Sequence, residues 1–193
     1  MTALQRRHGA VMVSRHGQEV AAHFGSAPGE AAVCRTTVGI AVRPDRATLE
    51  VLGPPAAVDA ALEGLVPLGE RTWHARLTPS LAIVRCEREQ ADAATAHLQR
   101  SEDVSVVDLP KEYVAIGLLG PRGRDVLDAA GVGTPDDPVI LVQERPGRVE
   151  LLVAAAQGPA LWNRLLAAGG PFGIACVGLD ALEHLDASEH VRA

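Results

Sequence analysis

The sequence predicts an α+β protein built from two tandem ferredoxin-like (βαββαβ) modules behind an N-terminal hairpin-helix extension. Three observations lead there. The turn Leu-Gly-Pro occurs twice, with Gly53 and Gly120 standing 67 positions apart. A proline sits in a later hairpin turn of each half, Pro79 and Pro146, at the same spacing. Around these turns, stretches with strand and helix patterning follow one another in the same order in both halves.

The elements can be justified in chain order. In residues 1–46, "AVMVSRHGQEVAAHFG" alternates like a hairpin with His16-Gly17 at its turn, and "SAPGEAAVCRT" reads as a short helix. Ser26 can cap that helix, Pro28 suits its first turn, and Glu30 favours its positive end. The first module, 47–110, opens with the strand "ATLEVL" and a helix over 55–65, on which Ala57, Ala60, Ala61 and Leu65 share one face. The hairpin "RTWHARLTPSLAIVRC", a helix over 87–100 and the short run "VSVVD" complete it. The second module, 111–180, repeats the series. "VAIGLL" leads through the turn into a helix over 122–130 with Gly131 as its C-cap, then the hairpin "VILVQERPGRVELLVA", a helix over 157–169 and "GIACVG". Pro and Gly suit the hairpin turns by preset φ and by tolerance of positive φ. Residues 181–193 read as a polar helical tail that frays at its end. A pseudo-twofold pair of such modules would leave a cleft between them, where ligands commonly bind.

Composition narrows the function. Of 193 residues, 47% are hydrophobic and only 3% aromatic, so a core of Leu, Val, Ala and Ile is expected. The formal charge of -6 disfavours nucleic acid and anionic membranes as partners. No uninterrupted apolar run approaches the ~18 residues of a membrane span, and the N-terminus has no apolar centre of a signal peptide. Cys34, Cys86 and Cys176 are odd in number and far apart, which points to reduced, mostly buried thiols and a cytoplasmic location.

Candidate chemistry is sparse. The seven histidines include no pair at helical i, i+4 spacing, and there is no Cys-x-x-Cys, so no metal site is expected. His74 is the candidate general acid or base if it faces the cleft, against an exposed strand position. Cys34 and Cys86 have no adjacent base in the sequence and read as core. "GPRGRD" could meet an anion at a helix start but reads better as a solvated one. Arg71, Arg76, Arg85 and Arg88 cluster around the first hairpin, fitting either a carboxylate tail or a charged edge strand. Trp162 reads as core.

The segment "GAVMVSRHGQEVAAHFGSAPGEAAVCRTTVGIA" resembles the opening of the glycine cleavage system T-protein (aminomethyltransferase) family. Gly9, Ala10, Met12, His16, Gly17, His23, Phe24, Gly25, Glu30, Arg35 and Gly39 fall in that family's register without a gap. "YVAIGLLGPRGRDVLDAAG" and "RVELLVAAAQGPALWNRLLAAGGPFGIACVGLDAL" resemble its later strand, turn and helix segments. The latter also resembles the gamma subunit of heterotetrameric sarcosine oxidase. The resemblance covers the family's first two modules and not its C-terminal barrel. It implies tetrahydrofolate as cofactor, with Phe24, Arg46 and Glu150 as its contacts, and one-carbon transferase chemistry on amines. It leaves open a non-catalytic subunit of a sarcosine-oxidase-like complex, and a repurposed pocket with unrelated small-molecule chemistry. A protein partner or a second copy would cover the place of the third module. The family's acidic segment in the first hairpin is replaced here by "RTWHARLTPSLAIVRC", and its Thr-Gly-x-x-Gly-Glu loop by "QERPGRVE". Its pterin-binding acids are thus mostly replaced.

Overall fold

The computed structural model describes residues 1–15, 17–63, 65, 72–101, 103–109, 112–133 and 139–190, with backbone alone over 141–145 and 188–190. His16 and Arg71, named above, lie outside the described residues. The chain divides into two compact units. One combines Met1–Pro44 with Val114–Ala193, and the other is Asp45–Tyr113.

The N-terminal segment forms α1 (Thr2–Arg7), β1 (Val11–Arg15), β2 (Gln18–His23), α2 (Ala27–Thr36) and β3 (Val38–Val42). β1 and β2 make the expected hairpin, and Ser26 Oγ caps α2 by accepting from Gly29 N. α1 and β3 were not expected. β3 is five apolar or glycine residues, Val38-Gly39-Ile40-Ala41-Val42, buried nearly throughout. A strand buried on both faces has no polar alternation to mark it.

The unit Asp45–Tyr113 holds β4 (Arg46–Leu52), α3 (Pro55–Leu62), β5 (Trp73–Thr78), β6 (Leu81–Glu87), α4 (Ala91–Leu98) and β7 (Ser105–Asp108). Its antiparallel sheet runs β5-β6-β4-β7, the strand order of a split βαβ module. Ala47, Leu49 and Val51 alternate onto the face that packs against Val58, Ala61 and Leu62 of α3 and Ala94 and Leu98 of α4. Arg46, Thr48, Glu50 and Leu52 point to the other face.

In the other unit, β8 (Tyr113–Leu119), α5 (Gly123–Ala130), β9 (Ile140–Arg145), β10 (Arg148–Ala154), α6 (Gly158–Gly169) and β11 (Ile174–Cys176) repeat the series, and α7 (Leu179–His190) follows. The sheet order is β11-β3-β8-β10-β9. The repeat is intact except that β3 has entered between β8 and β11. Leu119 pairs with Gly39 of β3, whereas its counterpart 67 residues earlier, Leu52, pairs with Ser105 of β7. β3 therefore takes on β8 the place that β7 takes on β4, and β11 moves out to pair with β3 in parallel. One face of this sheet packs Ile40, Ile116, Leu118 and Leu151 against α5 and α6, including the fully buried Trp162. On the opposite face Ala41 and Leu119 pack against α2 and α7 through Ala31, Cys34, Leu182 and Leu185.

The two Leu-Gly-Pro turns do the same work. Gly53 N donates to Ser80 O at 3.1 Å and Gly120 N to Gly147 O at 2.6 Å, and both donors and acceptors differ by the repeat spacing. Each turn runs too close to its neighbour for a side chain. A Cβ on Gly53 would lie 2.6 Å from Asp103 O, and one on Gly120, at φ +131°, 2.4 Å from Thr37 O.

Glu30 joins three segments of its unit. It is 7% exposed. Its Oε1 accepts from Phe24 N at 2.7 Å and Gly25 N at 2.9 Å, and its Oε2 accepts from Gly178 N at 2.8 Å. The expected role at the start of α2 is thus only part of its function. The carboxylate also ties the exit of β2 to the start of α7. Arg15 pairs with Asp180 at 2.8 Å and with Glu183, and Arg148 with Asp186 at 2.8 Å, which fixes one ridge of α7.

Glu30→Gln keeps an acceptor for Phe24 and Gly25 but can turn an amide N–H toward Gly178 N. Urea denaturation is expected to show a loss of about 2 kcal/mol. Gly178→Ala would put a Cβ 2.0 Å from Ala22 O, and about 3 kcal/mol should be lost. Gly25→Ala, which meets nothing within 4 Å, should leave the midpoint unchanged. Trp162→Ala is expected to cost about 3–5 kcal/mol in the same assay.

Candidate functional site

A cavity of about 390 Å³ lies in the unit that carries α2 and α7. The last turn of α2 contributes Cys34 and Arg35, the Leu-Gly-Pro turn Gly120, the β9–β10 turn Gly147 and Arg148, and α7 Leu185. Each is there for a local reason. The Gly120 N to Gly147 O bond holds the two turns together, and Gly147 sits at φ +77°, a conformation L side chains rarely adopt. Arg148 opens β10 and is oriented by Asp186. Arg35 is exposed.

Cys34 is buried on the cavity floor. Burial pushes its thiol up to about 11, and the nearby Arg148 and Arg35 charges pull the other way without prevailing. Burial likewise raises Cys176 to about 11, assisted by Glu30, and raises Cys86. All three thiols are free, and the packing role read from the sequence suits them. Among the described residues no group of three His, Cys, Asp or Glu could hold a metal ion.

The residues singled out from the sequence divide between the units. Phe24 is half-buried on the loop after β2, and its backbone N–H is bound to Glu30. Glu150 lies mid-strand in β10 and is 1% exposed. Arg46 begins β4 in the other unit and is 2% exposed. Its carbonyl accepts from Arg85 Nη1 at 3.1 Å and Arg88 Nη2 at 3.2 Å. His74, on β5 opposite Val84, is exposed.

The arginine cluster differs from expectation. Arg85 is buried, donating through Nη1 to Thr48 Oγ1 at 2.7 Å and to the Arg46 and Ala47 carbonyls. It is neither an edge guard nor a surface hook, because its guanidinium braces β4. Arg88 pairs with Asp108 at 2.5 Å, and Arg76 pairs with Asp59 and reaches the Pro55 and Pro79 carbonyls. The start of α5 is a solvated one: Arg122 pairs with Asp125 and lies 5.1 Å over the Phe172 ring, and Arg124 pairs with Asp128.

Sequence reading passed over Arg148. A comparison of the repeats would have found it, because its counterpart 67 residues earlier is Leu81. A charge standing where the sister module has an apolar residue marks a place where the two modules differ in use.

No family model matches the chain, and no curated protein matches it. Solved structures do. The glycine cleavage system aminomethyltransferase T from Bartonella henselae superposes with a TM-score of 0.70 over 93% of this chain at 21% identity. A chain of the heterotetrameric sarcosine oxidase from Corynebacterium sp. U-96, solved in complex with pyrrole 2-carboxylate, superposes with a TM-score of 0.55 over 77% of this chain at 18% identity. The present chain spans 58% of the length of the transferase and 93% of that oxidase chain. At these identities the likeness concerns the fold, and the fold is aminomethyltransferase-like. No helix among the described residues is long and apolar enough to cross a membrane.

With its thiol near 11 against an ordinary 9.0, Cys34 should carry about 100-fold less thiolate than an exposed cysteine at pH 8. Peptide-resolved iodoacetamide labelling should show a correspondingly slow reaction that climbs about tenfold per pH unit through pH 10.

Proposed function

We propose that this chain is a two-module, aminomethyltransferase-like component of a larger assembly that processes amines or one-carbon groups, acting as a non-catalytic subunit. The observation that carries this reading is the match to 93% of one chain of a heterotetrameric sarcosine oxidase, against 58% of the transferase. Exposed apolar side chains support it. Leu52 and Val107 are 50% and 46% exposed, and their register sets both on the sheet face away from α3 and α4. Val11 and Val13 are exposed on β1. Such patches commonly mark protein contacts.

A second reading keeps the ligand: tetrahydrofolate, with Phe24, Arg46 and Glu150 as its contacts. The superposition on the transferase over 93% of this chain favours it. The donor set runs against it. Glu30 is occupied by three backbone N–H groups, and the strands of the first hairpin carry His74, Arg76 and Arg85 with Glu87 only at their end. An unpartnered pterin edge would cost a few kcal/mol on burial. The described residues therefore do not fit a pterin.

Purification of the tagged chain from its native cells should return a stoichiometric complex with an amine oxidase or methyltransferase, seen by light scattering and mass spectrometry. A clean, stable monomer would overturn the subunit reading. Leu52→Glu with Val107→Glu should release the partner while leaving the melting temperature unchanged. Calorimetric titration with tetrahydrofolate and 5-formyltetrahydrofolate should show no heat of binding up to millimolar ligand, and saturable binding would favour the second reading instead.

A further inference from the structure

We propose that the cavity between the end of α2, the two glycine turns and α7 is a binding site for a compact organic monocarboxylate, a carboxylate carried on a short apolar body. It is separate from the assembly role above and does not depend on it.

Size and lining set the ligand. The cavity, at about 390 Å³, stands at the low end of the roughly 300–1,000 Å³ typical of ligand pockets. Among the described residues its charged lining is Arg35 and Arg148, and none of them is an acid. A guanidinium presents a planar fork of donors that matches a carboxylate in geometry as well as charge. Leu119, Pro121, Pro146 and Leu185 supply the apolar wall for the rest of the molecule.

The site is built rather than incidental. Arg148 is 7% exposed and held at 2.8 Å from Asp186, so its orientation is set before any ligand arrives. The Gly120–Gly147 hydrogen bond and two prolines stiffen the walls.

Electrostatics favour an anion. Arg35 and Arg148 both act on the Cys34 thiol in the direction that favours negative charge, so both charges are felt on the floor. The thiol stays neutral because burial prevails, and no thiolate competes with the ligand. Among the described residues three groups oppose: Asp186 beside Arg148, Glu30 near Cys34, and the negative end of the α2 dipole. Asp186 and Glu30 are engaged with Arg148 and with three backbone N–H groups. The Cys34 and Thr37 carbonyls at the end of α2 are closely covered by Gly120.

The test uses the full chain and four probes: benzoate, butyrate, neutral benzamide and inorganic phosphate. Amide-resolved NMR titration should show saturable shifts at Gly120, Gly147 and Arg148 with benzoate or butyrate, and much smaller ones with benzamide. Carboxylate should also slow alkylation of Cys34, read peptide by peptide, and leave Cys176 unaffected. Arg35→Gln, at an exposed position, should weaken binding at least tenfold with the melting temperature unchanged, and Arg35→Lys should restore part of the loss. Each of these results overturns the proposal: no saturable shift with either carboxylate, benzamide binding as well as benzoate, shifts confined to residues outside the cavity, or undiminished binding by Arg35→Gln. Phosphate binding as tightly as benzoate would also overturn it, marking a general anion site.

Discussion

One buried carboxylate holds the larger unit together. Glu30 sits at the start of α2, where the helix dipole already favours a negative charge, and accepts three backbone N–H groups from two other segments. A carboxylate so enclosed would be costly without partners, and it has them. With those bonds in place β2, α2 and α7 share one anchor, the backbone at Gly178 can lie against Ala22, and the α2–α7 layer covers one face of the sheet. The cavity at the end of α2 exists because that layer is fixed.

The two modules show how one pattern diverges once its surroundings change. On the β4 face away from α3 and α4 stand Arg46, Thr48, Glu50 and Leu52. The corresponding positions of β8 are Tyr113, Ala115, Gly117 and Leu119. The second set is smaller and more apolar because α2 and α7 pack on that side of the sheet, with Leu119 in their cluster. The reverse exchange occurs on the neighbouring strand, where Leu81 and Ile83 of β6 become Arg148 and Glu150 of β10. Arg148 there meets Asp186 of α7.

Much of the fold was legible in the sequence. The spacing between Gly53 and Gly120 located both modules, and the matching bonds to Ser80 and Gly147 give that spacing its physical meaning. The hairpin turns, the cap at Ser26 and the C-cap at Gly131, which takes φ +63°, rest on local chemistry that single residues reveal. β3 was not legible, because a short apolar run buried on both faces looks like any other. The candidate site was legible only in pieces. Its lining comes from α2, two turns and α7, segments that no local pattern connects. Arg46, Arg85 and Glu150 carry charge, and nothing in sequence shows that a charge will be buried, since that depends on partners supplied by distant strands.

The insertion of β3 has a consequence for the order in which the protein is made. Gly39 must find Leu119, eighty positions downstream, and everything between Asp45 and Tyr113 belongs to the other unit. On the ribosome that intervening unit has all its strands before β8 has emerged, so it can close while β3 still waits for its neighbour. The part of the chain that starts first is thus the part that finishes last, and its unpaired strand must stay out of mischief throughout translation.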